Sequence, residues 1–389
     1  MLAFTFPGQG SQRPGMGRPW IDHESWELVG EASEVVGRDV SSLLLDAEAE
    51  QLQDTRNAQL ATFVSSLMVL DAVERLGIEA NFCAGHSLGE YTALAATGAL
   101  GFDDGVALVT ERATAMYDAG NARHGTMAAV LGLDDDQVDV ACNLADADVW
   151  VANFNAPGHV VIAGSPTGVD AAAKHAKDLG ARRVIALKVS GAFHTAFMVP
   201  ARERLREAIA AADIRDAEIP VVSNVDAKPH NHGGEWSALL SAQLASPVRW
   251  RHSLQTLSSL GVTQFAELGP GGVLTGMAKR SVDGARTISV ATPDDLDKLV
   301  EWLQAEAAPV AHIEGEHLFA VERLVVSPAA GIFKPIGLES GVLIEVGAVI
   351  GHVGEHEVRS PFHGILQSFI AVDTERVTSR QPIAWLRTG

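Results

Sequence analysis

A glycine-flanked serine, in Gly85-His86-Ser87-Leu88-Gly89, is the feature of this sequence that most directly suggests covalent chemistry. In such a G-x-S-x-G pattern a sharp strand-to-helix turn raises the serine hydroxyl above the sheet, and the glycines relieve crowding. The surroundings fit, because the apolar segment Phe82-Cys83-Ala84 precedes it and a helix is expected over 90–100. The pattern predicts a nucleophilic Ser87, with a helix N-terminus to stabilise an oxyanion. The alternative is an ordinary turn serine that caps a helix.

A serine nucleophile needs a general base, and His194 is the candidate. It lies in Ser190-Gly191-Ala192-Phe193-His194-Thr195, directly after a strand expected over 184–189. Loops at the carboxyl ends of parallel strands are where active sites collect. The chain has 14 histidines, so this position, and not the residue type alone, distinguishes His194.

Arg112 is the third candidate residue of the functional site. A helix is predicted over 104–119, with Asp103 and Asp104 able to cap its start. On this helix Arg112 lies beside the apolar stripe that contains Val109 and Met116. One interpretation is an arginine whose stem is buried while its charge reaches water. The other is a buried guanidinium that binds a substrate carboxylate through two hydrogen bonds.

The elements that must position these side chains are typical of an α/β fold. Apolar strands alternate with helices, which predicts a mostly parallel sheet. The expected strands are 2–6, 82–84, 221–223 and 264–268, and the expected helices include 57–76 and 200–212. The glycine-rich segment 7–17 either brings the backbone close to a ligand or is an ordinary surface loop.

A different pattern occupies 126–189. Strands are expected over 127–131, 149–151, 160–162 and 184–189, and helices over 134–145 and 167–179. The resulting order, βαββαβ, is that of a ferredoxin-like subdomain inserted into the larger domain.

Composition excludes several classes of protein. The 389-residue chain has a formal net charge of −20, so its overall field will not attract nucleic acid or an anionic membrane. Two cysteines are too few for a disulfide framework or a cysteine-based zinc site. Without a membrane-length apolar run or a signal peptide, a cytoplasmic protein is expected.

Six motifs in order carry a family resemblance: Pro7-Gly8-Gln9-Gly10-Ser11-Gln12, Gly85-His86-Ser87-Leu88-Gly89-Glu90, Asn155-Ala156-Pro157-Gly158, Gly191-Ala192-Phe193-His194, Ser246-Pro247-Val248-Arg249-Trp250 and Glu267-Leu268-Gly269-Pro270-Gly271. Over about residues 2–300 the chain resembles the malonyl-CoA:acyl carrier protein transacylase family and, more broadly, the acyltransferase domains of fatty acid and polyketide synthases. The resemblance implies an α/β-hydrolase-like core, 1–125 and 190–303, with a ferredoxin-like insert over 126–189.

The resemblance also implies residue roles. Ser87 corresponds to the nucleophile and His194 to its base, as a dyad without a third acid. The remaining roles are the oxyanion-hole N–H groups of Gln9 and Leu88, malonyl carboxylate binding by Arg112, orientation of the histidine by the backbone carbonyl of Gln243, and substrate contacts by Asn155 and Phe193. His159 departs from the family, which often has glutamine there.

The implied reaction is ping-pong transfer of malonyl from malonyl-CoA to the phosphopantetheine thiol of acyl carrier protein, without a metal or bound cofactor. The main alternative is a serine esterase or thioesterase that shares the elbow. Acyl carrier protein is typically acidic, so its docking would need a local basic patch on this acidic chain. The candidate pairs are Arg182-Arg183, Arg249 with Arg251, and Lys279-Arg280. The alternative is that these are scattered solvated charges.

The C-terminal part is predicted to be a separate domain. A linker is expected over 304–317, and beyond it Ser327-Pro328-Ala329-Ala330-Gly331-Ile332-Phe333 recurs 33 residues later as Ser360-Pro361-Phe362-His363-Gly364-Ile365-Leu366. Residues 318–389 resemble a degenerate biotinyl/lipoyl-like β-barrel in two halves, used for packing or docking. Its paired strands are expected to include 346–353 and 383–386. The hairpin segment 352–358 lacks lysine, and Lys334 lies in the first half. Neither biotin nor lipoate is expected, and a non-catalytic carrier or scaffold role is suggested by this domain alone.

Overall fold

The computed structural model describes residues 1–189, 191–307, 322–379 and 381–387. The chain divides into two compact units, Met1–Ala308 and Pro309–Gly389, which are described separately below. The predicted linker starts too early, because residues 304–307 form the end of a helix; its remaining residues lie outside the described ones.

The first unit alternates strands with helices. Its strands are β1 Leu2–Phe6, β2 Phe82–Gly85, β3 Thr126–Leu131, β4 Val149–Ala156, β5 His159–Gly164, β6 Arg183–Ala186, β7 Val221–Val222, β8 Pro229–His230, β9 Gln264–Leu268 and β10 Arg286–Val290. Its α-helices are α1 Glu27–Val36, α2 Val40–Leu45, α3 Thr55–Arg75, α4 Gly89–Ala96, α5 Phe102–Ala122, α6 Asp135–Leu144, α7 Pro166–Asp178, α8 Val199–Ala211, α9 Gly233–Gln243, α10 Trp250–Ser259, α11 Val273–Ser281 and α12 Asp294–Ala307.

The main sheet has the order β10-β9-β1-β2-β7-β8, and every pairing is parallel except that of β7 with β8. The predicted mixed α/β fold with a parallel sheet is therefore confirmed. Phe6 is in register with Gly85, and His86 N donates a 3.0 Å hydrogen bond to Phe6 O. The loops that follow β1 and β2 consequently leave the sheet side by side.

Side chains of the sheet alternate between two apolar cores, as the two-residue repeat of a strand requires. Phe4 and Phe6 face a large core that also contains Phe63 of α3 and Val109 of α5. Ala3 faces the smaller core on the opposite side. The sheet is thus covered on both faces, as expected for parallel strands.

Strands β3–β6 form a second sheet, with the antiparallel order β4-β5-β3-β6. Together with α6 and α7 they follow the element order predicted from the sequence. Val130, Val138 and Ile162 belong to the core of this part, whereas Met127 and Val161 belong to the large core of the main domain. The insert is thereby anchored beside the main sheet.

Three local predictions were wrong. The strand expected over 184–189 ends at Ala186, because Val189 N turns back to Leu187 O at 3.0 Å. The helix expected over 90–100 ends at Ala96 and is followed by Gly98 at φ +69°. Asp103 and Asp104 do not cap α5; Gly101 is its N-cap residue, and the two carboxylates lie in its first turn, where the helix dipole favours them.

The second unit contains β11 Glu322–Val326, β12 Gly331–Pro335, β13 Leu343–Ile344, β14 Val349–Val353, β15 His356–Arg359, β16 Gly364–Phe369, β17 Arg376–Val377 and β18 Pro382–Arg387. These form two sheets with the orders β11-β18-β16-β13 and β15-β14-β12-β17. The strand expected over 346–353 is shorter at its start, and it lies in a different sheet from the strand expected over 383–386.

The repeated motif marks the same turn twice. Ser327 Oγ donates to Ala329 O at 2.6 Å, and Ser360 Oγ donates to Phe362 O at 2.7 Å. Gly331 and Gly364 then begin β12 and β16. The β14–β15 hairpin turns at Gly354 and Glu355, while Lys334 lies within β12 opposite His352.

Candidate active site

Ser87 lies on a strained turn between β2 and α4. Its φ of +53° is in the left-handed region, which an L-residue adopts only at a cost. A Cβ on Gly85 would lie 1.8 Å from the carbonyl carbon of Gly89, and a Cβ on Gly89 would lie 2.1 Å from Phe6 O. Both glycines are therefore required for the turn to close.

The turn leaves backbone N–H groups at the start of α4. The first helical bonds run from Gly89 N to His86 O and from Glu90 N to Ser87 O, at 2.9 and 3.1 Å. Leu88 N precedes them, among the N–H groups that a helix cannot pair internally. Gln9, which follows β1, lines the same cavity as Ser87, and its side-chain oxygen accepts a 2.7 Å bond from Thr55.

His194 is positioned as a base toward Ser87. The distance from Ser87 Oγ to His194 Nε2 is 2.7 Å, and His194 Nδ1 lies 2.9 Å from the backbone carbonyl of Gln243. A carbonyl can only accept, so Nδ1 carries the proton and Nε2 has the free lone pair. Burial, aided by the positive charge of Arg112, lowers the pKa of His194 to about 3, so the ring is neutral at neutral pH.

Arg112 is buried, with 1% of its surface exposed, which overturns the interpretation of a charge reaching water. Its Nη2 donates to Ser87 Oγ at 3.1 Å and to Gln243 Oε1 at 3.0 Å, and Nη1 donates to Gln59 Oε1. These acceptors are neutral oxygens. The guanidinium thus keeps its charge beside the nucleophile, at a position where a substrate carboxylate could bind it.

These groups converge on one cavity of about 420 Å³. Ser87, His194, Arg112, Gln9, Asn155 and Phe193 all line it. Much of the remaining wall is apolar and includes Met127, Val161, Leu187, Val189, Leu274 and Met277. A cavity whose wall is largely apolar and also carries a serine, a neutral imidazole and a cation suits a thioester with an anionic acyl group.

The other predicted residues lie around this centre. Asn155 Oδ1 is 2.9 Å from His86 Nε2, so it contacts the residue before the serine. His159, near Arg280 at 3.3 Å, has its pKa lowered to about 4 by burial and by that charge. Of the basic pairs suggested for docking, Arg251 is engaged by Asp135 at 2.6 Å.

Two residues near the elbow, Asn224 and Glu90, were given no role from the sequence. Asn224 Oδ1 accepts from Ser87 N, and its Nδ2 donates to Gly85 O, both at 2.7 Å. Glu90 is fully buried and bonded to Asn224 N and to the Gln243 side chain. A signal existed for Asn224, because it directly follows the predicted strand 221–223 at the edge of the sheet where sites form.

In the described ranges, no group of three or more histidine, cysteine, aspartate or glutamate side chains is arranged to hold a metal ion. Among the helices of those ranges, none combines the length and apolar character needed to cross a bilayer.

Known proteins resemble most of this chain in sequence and in fold. The sequence profile of the acyl transferase domain family matches residues 3–304. The malonyl CoA-acyl carrier protein transacylase of Bacillus subtilis (strain 168) is 42% identical over 310 residues, which are 78% of this chain and 98% of that protein. The enzyme of the same name from Escherichia coli (strain K12) is 38% identical over 309 residues, 77% of this chain and 99% of that protein.

Solved structures of proteins with related names resemble this chain in fold. An acyl-carrier-protein S-malonyltransferase from Burkholderia pseudomallei 1710b superimposes with a TM-score of 0.74 at 40% identity, over 77% of this chain and 99% of that chain. A malonyl-transacylase in complex with its type II PKS acyl carrier protein superimposes with the same TM-score at 35% identity, over the same shares of the two chains.

Proposed function

This chain belongs to the acyl transferase domain family, and we propose that it transfers malonyl from malonyl-CoA to acyl carrier protein through Ser87. It is an acyltransferase, and the relatives described above are named for the same donor group and carrier. The observation that carries the residue assignment is the convergence of Ser87, neutral His194 and buried Arg112 in one cavity.

In the first half-reaction Ser87 Oγ attacks the malonyl thioester while His194 Nε2 takes its proton. The N–H groups of Gln9 and Leu88 stabilise the oxyanion of the tetrahedral intermediate. Its collapse breaks the C–S bond, and the proton on His194 passes to the leaving thiolate of CoA. The product is a malonyl ester of Ser87.

The second half-reaction uses the same groups in reverse. The phosphopantetheine thiol of the carrier gives its proton to His194 and attacks the ester carbonyl. The oxyanion forms at the same N–H groups, and Ser87 leaves as its alkoxide and is reprotonated by His194. Every proton is handled by one imidazole, so the proposal requires no metal or bound cofactor.

Arg112 supplies the acyl selectivity in this proposal. A malonyl group places a carboxylate close to the carbonyl that Ser87 attacks, and Arg112 Nη2 lies 3.1 Å from Ser87 Oγ. A charge-assisted, bidentate pair with the guanidinium is the strongest contact such a group can make. Phe193, which also lines the cavity, would crowd a methyl group on the malonyl carbon.

A serine esterase or thioesterase is the second candidate, since it would use the same elbow. Arg112 argues against it: hydrolysis of a simple ester gains nothing from a buried cation beside the nucleophile. Burying an arginine costs free energy, and a cation held beside the nucleophile matches the binding of an acyl group that carries a carboxylate.

We also infer the finer architecture. The parallel sheet with the serine after β2 supports an α/β-hydrolase-like core, and the order β4-β5-β3-β6 supports a ferredoxin-like insert. The two four-stranded sheets with a repeated turn support a biotinyl/lipoyl-like domain without an attachment lysine at Gly354-Glu355. A cytoplasmic location stays a prediction.

The test separates transfer from hydrolysis. Purified protein is mixed with labelled malonyl-CoA, alone, with carrier protein bearing phosphopantetheine, and with carrier lacking it. We expect one malonyl group per chain without a carrier and label on the carrier only when its thiol is present. Steady release of free malonate with no carrier labelling would instead identify a thioesterase.

A further inference from the structure

Glu90, three residues after the serine, is a fully buried carboxyl group that the proposed mechanism does not use. Its Oε1 accepts from Asn224 N at 2.6 Å, and its Oε2 accepts from Gln243 Nε2 at 2.5 Å. Both partners are donors, so the arrangement is that of an ionised carboxylate. Asn224 in turn bonds Ser87 N, which ties Glu90 to the elbow.

The side chain of Gln243 connects this carboxylate to Arg112. Its Nε2 donates to Glu90 and also to Ser87 O at 2.8 Å, while its Oε1 accepts from Arg112 Nη2 at 3.0 Å. An amide has an acceptor at one end and a donor at the other. The group that faces one end of the Gln243 amide therefore determines whether the amide oxygen or the amide nitrogen faces the guanidinium of Arg112.

We propose that Glu90 is a positioning residue that fixes the Gln243 amide with its oxygen toward Arg112, so that the guanidinium is placed to receive the malonyl carboxylate. This inference rests on the proposed function and adds a residue that determines its acyl selectivity. Glu90 acts through Gln243 and Arg112, and it does not touch the reacting atoms.

The alternative orientation shows why a carboxylate is needed. If residue 90 presented a donor, the amide would turn over to accept from it. Nε2 would then face Arg112 Nη2, and two donors would oppose each other in a buried site, which is costly. The same flip would place the amide oxygen against Ser87 O, so Arg112 would lose its place beside Ser87.

Charge favours the same assignment. Arg112 donates to neutral oxygens on Gln59, Ser87 and Gln243, and the Tyr91 hydroxyl beside it is also neutral. Glu90 lies one amide away and attracts the guanidinium, as the mutual effects on their pKa values indicate. A carboxylate at this distance balances the buried cation without occupying the position that the substrate carboxylate needs.

Glu90 also titrates near neutrality. Burial raises its pKa to about 7, against its two hydrogen bonds and the charge of Arg112, while Asp226 raises it further. Tyr91 stays neutral, because burial raises its pKa. His194 stays neutral down to about pH 3, so it does not change the ratio of two acyl transfers above that pH.

The experiment compares malonyl-CoA with acetyl-CoA, whose acyl group lacks a carboxylate for Arg112, in single-turnover acylation of the full chain with enzyme in excess. Glu90→Gln keeps the size of the side chain but replaces one acceptor by a donor. We expect the malonyl-to-acetyl rate ratio to fall by about tenfold or more, because the loss falls on a charge-assisted contact. A ratio within twofold of wild type overturns the inference.

Glu267→Gln is the matched control. Glu267 is also buried, but its oxygens accept backbone N–H groups of Gly272 and Thr275 and have no bond to Gln243 or Arg112. We expect this variant to lose stability while its rate ratio stays within about twofold of wild type. An equal fall of the ratio in both variants would mark a general effect of buried carboxyls and overturn the assignment.

A second measurement needs no variant. In wild type the malonyl-to-acetyl ratio should fall as the pH drops through about 7, because Glu90 becomes protonated and turns into a donor. A ratio that is constant between pH 5 and 8 contradicts the inference. Failure of wild type to form any malonyl ester would instead refute the proposed function, so the two failures are distinguishable.

Discussion

Serines whose side chains form hydrogen bonds occur in both units of the chain, and their partners differ in kind. Ser327 and Ser360 each donate to a carbonyl two residues further along, which closes a turn, and Ser360 Oγ also accepts from Phe362 N at 3.2 Å. Ser87 lies instead at φ +53°, with a histidine nitrogen at 2.7 Å and a guanidinium nitrogen at 3.1 Å. The hydroxyls of Ser327 and Ser360 form their hydrogen bonds within the same turn, which indicates a structural role. The hydroxyl of Ser87 contacts groups from distant parts of the chain, which indicates a role in chemistry.

The same contrast extends to other buried polar groups. In the first unit, Arg112, Glu90, His194 and Gln243 are buried and joined through hydrogen bonds that link α4, α5 and α9. In the described part of the second unit, the buried polar residues are Ser327 and Ser360. Burial of charge is costly, so its concentration around Ser87 indicates where function is located.

The largest effect should come from removing the base. His194→Ala leaves Ser87 without a proton acceptor, and the same imidazole serves both half-reactions. We expect both acylation by malonyl-CoA and transfer to the carrier to fall by about 10²–10⁴-fold. Rapid-mixing measurements of each half-reaction check this, and an undiminished second half-reaction would show that another group delivers the proton.

Loss of the buried cation should be smaller and selective. Arg112→Ala removes a bidentate charge-assisted pair, which costs on the order of 2–4 kcal/mol, or about 30–1000-fold in malonyl transfer. Acetyl transfer should fall less or rise. Arg251→Ala, which removes an arginine paired with Asp135 outside the cavity lining, is the control, and its malonyl-to-acetyl ratio should not change.

Removal of the second unit tests whether the catalytic groups lie in the first unit alone. A shortened chain that ends near Ala307 keeps Ser87, His194 and Arg112 and all the cavity-lining residues. We expect its transacylase rate to stay within about threefold of the full chain, because ordinary packing changes of under 1 kcal/mol have such effects. A shortened chain that is folded by circular dichroism but inactive would show that the second unit contributes to the site.

The smallest expected effect is no change at all. Because the β14–β15 hairpin has Gly354-Glu355 at its turn, biotin and lipoate have no attachment amine there. After coexpression with a biotin or lipoyl ligase, the intact mass should equal that of the sequence. A mass increase matching either group would refute this, and Lys334 would be the first residue to map.

Local patterns were sufficient for the parts of the site that local geometry creates. The elbow follows from the spacing of Gly85, Ser87 and Gly89, since both glycines are needed for close backbone approach. The burial of Arg112 could not be predicted in the same way. Its partners Gln59 and Gln243 are 53 and 131 residues away along the chain, so only the fold brings them together.

The error at 184–189 has a physical reason as well. Leu187 and Val189 continue the apolar run of β6, which resembles a strand in sequence, but the strand ends at Ala186. Their side chains line the cavity instead. Hydrophobicity records burial against any apolar surface, so it does not distinguish the wall of a substrate cavity from a strand.

The most direct test of the central claim is to locate the malonyl group on the protein. Full-length chain is incubated with malonyl-CoA, digested and analysed by peptide mass spectrometry, beside Ser87→Ala and the control Ser327→Ala. We predict one malonyl ester on the peptide that contains Ser87 in wild type and Ser327→Ala, and none in a folded Ser87→Ala. A malonyl group that persists in Ser87→Ala, or that maps to another residue in wild type, would contradict the account.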